Sequence, residues 1–258
     1  MKIHYCWFGN NPKSPLILNC IKSWHKYCPS AEIIEWNEDN FDINTSTYSK
    51  EAYQAKKWPF VSDYCRFYVL YNFGGIYLDT DVELLRPISD LPSNFVGFEN
   101  KNYVASGLIR GAKKGDWFCK QMLESYNRDK FILPDGSYNL VTVCERETSL
   151  LIEHGLKLDN KTQTVKDIIV YASEYFCPLN SRTRELTITK NTYSIHHYAA
   201  SWCKEESNFY YTTYKKLSKF FPNNLSLALT TLMSNIKFHG IRATFAKIKK
   251  HLRGLAKN

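Results

Sequence analysis

Lys2 to Trp7 form a short apolar-rich run that predicts a first buried strand, ended by the turn-forming stretch Phe8-Gly9-Asn10-Asn11-Pro12. Pro15 then opens a helical pattern that runs to about Tyr27, with Leu16, Cys20 and Trp24 at i, i+4 and i+8 on one face. Pro29-Ser30 ends it, and Ala31 to Trp36 alternates as a second strand. Strand, helix, strand from the first residues onward is the opening of a nucleotide-binding α/β domain. Asn37 to Thr47 is polar and predicts a connection. Pro59 opens a second helix, with Val61, Cys65, Tyr68 and Tyr71 on one side, and Asn72-Phe73-Gly74-Gly75 terminates it.

Beyond the double glycine the pattern shortens. Ile76-Tyr77-Leu78 predicts a small strand, followed by Asp79-Thr80-Asp81 and a strand continuing over Val82–Leu85. Further strands are expected at Asn94–Phe98, Ala105–Arg110, Ile168–Tyr171 and Thr192–His197. Helices are expected at Gly115–Tyr126 and Leu140–Glu153. From about Lys204 the chain reads as helices, interrupted by Pro222-Asn223-Asn224 and by Gly240. The fold class expected is therefore α/β, a single nucleotide-binding domain over residues 1–205 with a helical extension over 206–258.

Charge adds to this picture. The net charge of +9 comes almost wholly from the end of the chain: after Glu206 there are ten Lys and Arg and no acid, whereas the rest carries 24 basic against 25 acidic residues. Ile236, Ile241, Phe245, Ile248, Leu252 and Leu255 fall largely on one helical side, with Lys247, Lys249, Lys250 and Arg253 over much of the rest. A basic amphipathic helix of this kind predicts contact with an anionic membrane surface. A helix packed on the domain is the alternative, and nucleic acid is not expected, since no nucleic-acid-binding module is recognisable. The eight cysteines include no Cys-x-x-Cys pair, so no structural zinc is expected. No signal peptide and no 18-residue apolar run are visible, and a cytoplasmic protein with reduced thiols is the expectation. Aromatic residues, 15% of the chain, suit both a packed core and the stacking of sugar rings.

The chemistry centres on Asp79 and Asp81. Two carboxylates one residue apart just past a strand end can hold a divalent cation together with diphosphate oxygens, in the oxygen-rich shell Mg and Mn prefer. A chain of this length contains such a pair by chance about half the time, so context decides. Here a helix carrying Asp63 and Arg66 at i and i+3, a double glycine and a short strand lead directly into the pair.

Ser62, Asp63 and Arg66, followed by Gly74-Gly75-Ile76-Tyr77-Leu78-Asp79-Thr80-Asp81, resemble the Asp-x-Asp sugar-binding region of glycosyltransferase family 32, related to the catalytic domains of large clostridial glucosylating toxins. His196-His197-Tyr198-Ala199-Ala200-Ser201-Trp202 is similar to that family's late motif, and Ile3 to Gly9 to its opening strand. The resemblance implies a GT-A type Rossmann-like domain with a mixed sheet, and a retaining, metal-dependent hexosyltransferase using a nucleotide-sugar. It places Trp7 at the base, Asp63 on ribose or sugar hydroxyls, Arg66 on sugar or phosphate and Tyr77 near base or ribose. Asp79 would contact sugar and ribose, with the metal nearby, and Asp81 would be the direct metal ligand. His196, by its spacing to Trp202, would be a late metal ligand, and Ser201 and Trp202 would cover the diphosphate. Mn2+ or Mg2+ is the implied ion. UDP-galactose or UDP-glucose is the expected donor, with GDP-mannose the alternative. The expected acceptor is a lipid-linked saccharide, carried on polyprenyl diphosphate, in bacterial surface polysaccharide (capsule or O-antigen) synthesis. A toxin-like transferase acting on protein is a second enzymatic reading, and a basic membrane- or nucleic-acid-binding module the non-enzymatic one.

Overall fold

The structure is a computed structural model that describes residues 1–199 and 204–255. The chain divides into two compact units, Met1–Leu179 with Thr187–His197, and Asn180–Leu186 with Tyr198–Asn258.

The first unit opens with strand β1 (Lys2–Cys6), helix α1 (Pro15–Tyr27) and strand β2 (Glu32–Trp36). Ser14 caps α1 by accepting from the Ile17 N–H, and Pro15 occupies the first turn. The buried stripe of α1 is Ile17, Cys20 and Trp24. Cys20 and Trp24 are buried as predicted, while Leu16 is exposed and Ile17 takes its place at the start of the stripe. The stretch over residues 37–47, expected as a connection, contains a short 3-10 turn, and helix α2 (Thr47–Gln54), capped by Ser46, follows it. Its buried face is Tyr48, Ser49 and Ala52, too polar to register as an apolar stripe.

Helix α3 (Trp58–Phe73) is buried on nearly all sides, with Asp63 and Arg66 among Val61, Cys65, Phe67, Val69 and Leu70. Tyr68 and Tyr71 are only half-buried, so the row predicted from Val61 to Tyr71 is not a single core face. At its end Gly74 (φ 66) and Gly75 (φ 111) turn the chain into strand β3 (Gly75–Tyr77). A side chain on Gly75 would stand 2.7 Å from the Lys2 carbonyl, so only glycine lets β3 lie this close to β1. His4 locks the turn. Its Nδ1 accepts from the Trp36 indole (3.1 Å), which leaves Nε2 to donate to the Gly74 carbonyl (2.8 Å).

Then follow β4 (Val82–Leu84), β5 (Phe95–Asn100), β6 (Tyr103–Val104) and β7 (Arg110–Ala112). The single strand expected over Ala105–Arg110 does not form. Residues 105–109 make a buried turn between β6 and β7, and their apolar side chains Ala105, Leu108 and Ile109 are buried without strand pairing. The remainder is α4 (Trp117–Arg128), α5 (Val143–Glu153), β8 (Gln163–Val165), β9 (Ile168–Tyr171), α6 (Ser173–Phe176) and β10 (Ser194–His196).

The main sheet has the order β2-β1-β3-β7-β5-β9-β8, with β6 on β5. β2, β1 and β3 are parallel, β7 is antiparallel to β3 and β5, and β5 is parallel to β9. This is the expected mixed α/β sheet. β4 and β10 form a separate antiparallel pair, held against α1 by the Trp24 indole donating to the Val82 carbonyl (2.7 Å) and the Ser23 hydroxyl accepting from the Leu84 N–H (2.9 Å).

In the second unit, α7 (Lys204–Leu217) packs on α8 (Asn223–Leu255), and α8 is broken at Gly240 (φ 81, ψ 161). Ser226, Thr230, Ser234 and Thr244 of α8 are buried, while Leu225, Leu232, Met233, Ile236, Ile241 and Phe245 are exposed. The buried hydroxyls of Thr230 and Thr244 donate to carbonyls one turn back, Ser226 and Gly240. Among the described residues no helix is long and apolar enough to cross a membrane.

Candidate active site

Three elements converge on one place. β3 ends at Tyr77 and the chain continues through Asp79 to Asp81 before entering β4. β10 pairs with β4 in the register His196↔Val82, which sets His196 beside Asp81. α3 supplies Asp63 and Arg66 from below.

Asp79, Asp81 and His196 each offer a ligand atom within 4.8 Å of the others. His196 Nε2 and Asp81 Oδ1 are 3.1 Å apart. Ligands of a small octahedral ion about 2.1 Å from the metal stand about 3 Å apart when adjacent and about 4 Å apart when opposite. The three side chains form a group that could hold a divalent cation, and two carboxylates with one imidazole suit Mn or Mg in donor type. Burial opposes a charge on His196, but Asp81 reverses this and holds its pKa well above the ordinary value. The neighbouring His197 is occupied otherwise, with Nε2 2.8 Å from Glu83.

Arg66 is the centre of the site's polar network. Its Nη2 lies 3.1 Å from Asp63 and 3.1 Å from Asp79, and its Nη1 donates to the Ser106 hydroxyl at 3.2 Å. Its guanidinium sits 4.9 Å above the Tyr77 ring, and the Tyr77 hydroxyl donates to the same Asp79 oxygen at 3.0 Å. Burial disfavours the charge on Arg66, yet Asp79, Tyr77 and Asp63 hold its pKa above the usual arginine value. Burial pushes Asp63 up to about 6, against the pull of Arg66. The guanidinium thus contacts both acids, and four of the side chains expected to touch the donor, Asp63, Arg66, Tyr77 and Asp79, are joined in one cluster. Both Nη atoms of Arg66 make contacts within the protein.

Two residues of this cluster had no sequence signal. Ser106 and Gly107 lie in the 105–109 turn that was expected to be strand. The Gly107 carbonyl accepts from the Asp79 N–H (3.0 Å), and Ser106 is held from behind by Glu147 of α5.

The structure sets Trp7 at the end of β1, where its N–H donates to the Trp36 carbonyl (2.8 Å) and its indole to the Asn11 carbonyl (2.7 Å), with Lys13 over the ring. Ser201 and Trp202 lie outside the described residues.

Comparison with known proteins locates this arrangement. Residues 15–98 match the family model described as the glycosyltransferase sugar-binding region containing the DXD motif. An uncharacterized protein of Arabidopsis thaliana is 28% identical over 152 residues, 55% of this chain and 22% of that one, so the similarity spans under a quarter of that protein. The solved structure of PaToxG glycosyltransferase is similar over 59% of this chain and 68% of that one, with 17% identity and a TM-score of 0.44. The matched region ends beyond the acid pair and contains α3, β3, Arg66, Asp79 and Asp81. Over residues 15–98 the chain is similar to the sugar-binding region of the DXD glycosyltransferases.

Proposed function

We propose that the protein moves a hexose, with retention of anomeric configuration, from a nucleoside-diphosphate sugar to a saccharide acceptor. The observation that carries this reading is the juxtaposition of Asp79, Asp81 and His196 with the buried Asp63–Arg66–Asp79 network. Asp79, Asp81 and His196 would hold the divalent ion, Mn2+ or Mg2+, whose charge neutralises a diphosphate leaving group. The protein's own part is orientation. Arg66 and Tyr77 fix one Asp79 oxygen, leaving the carboxylate part exposed toward ligand. Asp63, in contact with Arg66, is suited to a hydroxyl of the donor. A retaining hydrolase uses two carboxylates about 5 Å apart, one of them a nucleophile. Here Asp79 and Asp63 share Arg66, and this reading assigns neither as a nucleophile. The course in this reading is front-face displacement, with electrostatic stabilisation of the departing diphosphate in place of a covalent intermediate.

The donor in this reading is UDP-galactose or UDP-glucose, with GDP-mannose as the competing choice. The catalytic domain is residues 1–205 and the extension 206–258. The acceptor is a lipid-linked saccharide of bacterial surface polysaccharide synthesis, met at the inner face of the cytoplasmic membrane. What supports the membrane location is the second unit, where Leu232, Ile236, Ile241 and Phe245 of α8 are exposed in a stretch with ten basic residues and no acid.

Thermal unfolding with Mn present, against UDP, GDP, UDP-glucose, UDP-galactose, UDP-N-acetyl sugars and GDP-mannose, tests the reading. A Mn-dependent rise with one nucleotide family is expected, because binding to the folded state alone stabilises it by mass action. A folded sample that responds to none of them overturns the donor assignment.

A further inference from the structure

We infer that Glu147 is a positioning residue of the donor site, acting on Arg66 and Asp79 through Ser106 and the 105–109 turn. This rests on the proposed reading of the site as the donor site. Glu147 sits on α5 with no solvent exposure. All of its hydrogen bonds that the structure records go to one residue. The Ser106 N–H donates to both carboxylate oxygens (3.1 and 3.0 Å) and the Ser106 hydroxyl donates to Oε1 (2.5 Å). A hydroxyl that has given its proton to Glu147 presents its lone pairs to Arg66, and Arg66 Nη1 donates to it at 3.2 Å. The order is therefore Glu147, Ser106, Arg66, and from Arg66 to Asp63 and Asp79.

The backbone makes a second connection. With Ser106 held by Glu147, and the Val104 N–H held by the neighbouring Thr148 hydroxyl (2.9 Å), the Gly107 carbonyl is placed to accept from the Asp79 N–H. A fully buried carboxylate is costly unless its interactions compensate. Burial raises Glu147 to about 7 even with Ser106 and Arg66 favouring its charge. A core position needing only shape would carry an apolar side chain. This one carries an acid that touches the single hydroxyl bridging to the site's arginine.

The test uses the full chain with Glu147→Gln, Ser106→Ala and the double variant. The assay is Mn-dependent hydrolysis of whichever nucleotide-sugar the stability panel selects. Each single variant is expected to lower kcat about 10- to 100-fold, the scale of a small misplacement of reacting groups, with KM for the donor within about threefold. The double variant should be no worse than the more damaging single, because both changes cut one path. Normal kcat in Glu147→Gln, or losses that multiply in the double variant, would overturn the inference. If Glu147→Gln does not fold, Glu147→Asp takes its place.

Amide exchange supplies a readout that needs no turnover. The Asp79 N–H should exchange faster in Glu147→Gln, or in Glu147→Asp where that replaces it, while the β8–β9 amides keep their wild-type rates. Unchanged exchange at Asp79 overturns the inference. If the wild-type chain hydrolyses no sugar in the panel, the donor assignment fails and exchange alone decides the role of Glu147.

Discussion

Gly107 approaches Asp79 so closely that a methyl group on its Cα would stand 2.2 Å from Asp79 Oδ2 and 3.4 Å from Arg66 Nη1. The glycine is required by space, since its backbone lies outside the left-handed region.

Gly107→Ala should therefore displace Asp79 or push the 105–109 turn outward. Overpacking of this kind costs about 1–3 kcal/mol, so the variant is expected to fold with a lowered Tm. Sugar-nucleotide hydrolysis should fall by at least about tenfold, beyond what the stability loss explains. A variant with wild-type turnover at 25 °C would show that Asp79 has more freedom than its contacts with Arg66 and Tyr77 imply.

Asp81→Asn keeps the shape of the side chain and removes the charge facing His196. The metal-free variant should remain folded, while the stabilisation by Mn is lost. At a metal concentration 100 times Kd, that stabilisation is about 2.7 kcal/mol for the wild-type chain. Turnover should vanish. His196→Ala should weaken the Mn response and leave a residual one through the two carboxylates. Calorimetric unfolding with and without Mn checks both, and an intact Mn response in Asp81→Asn would remove Asp81 from the ligand set.

Arg66→Lys retains a positive charge but cannot reach Asp63, Asp79 and Ser106 at once. Buried acceptors left without a donor cost about 1–3 kcal/mol each. A lowered Tm and a loss of transfer are expected together, and denaturant unfolding beside steady-state kinetics measures both. Full activity in this variant would mean that the guanidinium fork is dispensable for placing Asp79.

Stability of the metal-free protein should fall as pH rises from about 4 to 7. Glu147 titrates near 7 in the folded chain and near 4.5 in the unfolded one, and Asp63 near 6 against 3.8. The folded state thus holds protons that the unfolded state has released. Stability from these groups is fully present below their unfolded values and is lost as pH passes through the folded ones. For Glu147 alone the loss is on the order of 3 kcal/mol. Glu147→Gln should flatten this part of the profile. A profile that rises across the same interval would indicate that both acids are ionised at little cost in the native chain.

Much of this was legible in the sequence. Pro15 and Pro59 mark helix starts because proline suits a first turn, and Gly74-Gly75 marks a turn because no other residue fits beside Lys2. The family resemblance, through the spacing to Trp202, singles out His196 over His197, and the geometry sets His196 with Asp81 and His197 with Glu83. α2 escaped notice because its buried side is tyrosine, serine and alanine. Its signal was the Ser46 cap. Glu147 reads as one more acid in Cys-Glu-Arg-Glu-Thr, and only the packing of α5 against β6 distinguishes it from solvated Glu145. The 105–109 turn carries the apolar content of a strand, and periodicity cannot separate a buried turn from a buried strand.

The pairing of β4 with β10 couples distant parts of the chain. Glu83 and His197 are 114 residues apart in sequence yet 2.8 Å apart in space, and Asp81 and His196 sit beside them. An ion held there closes a very long loop, so occupancy and folding of β10 are one linked equilibrium. Substitutions at Ser194 or Leu84, which touch no ligand, should then change metal affinity, and metal concentration should govern how firmly the C-terminal end of the catalytic unit is fastened.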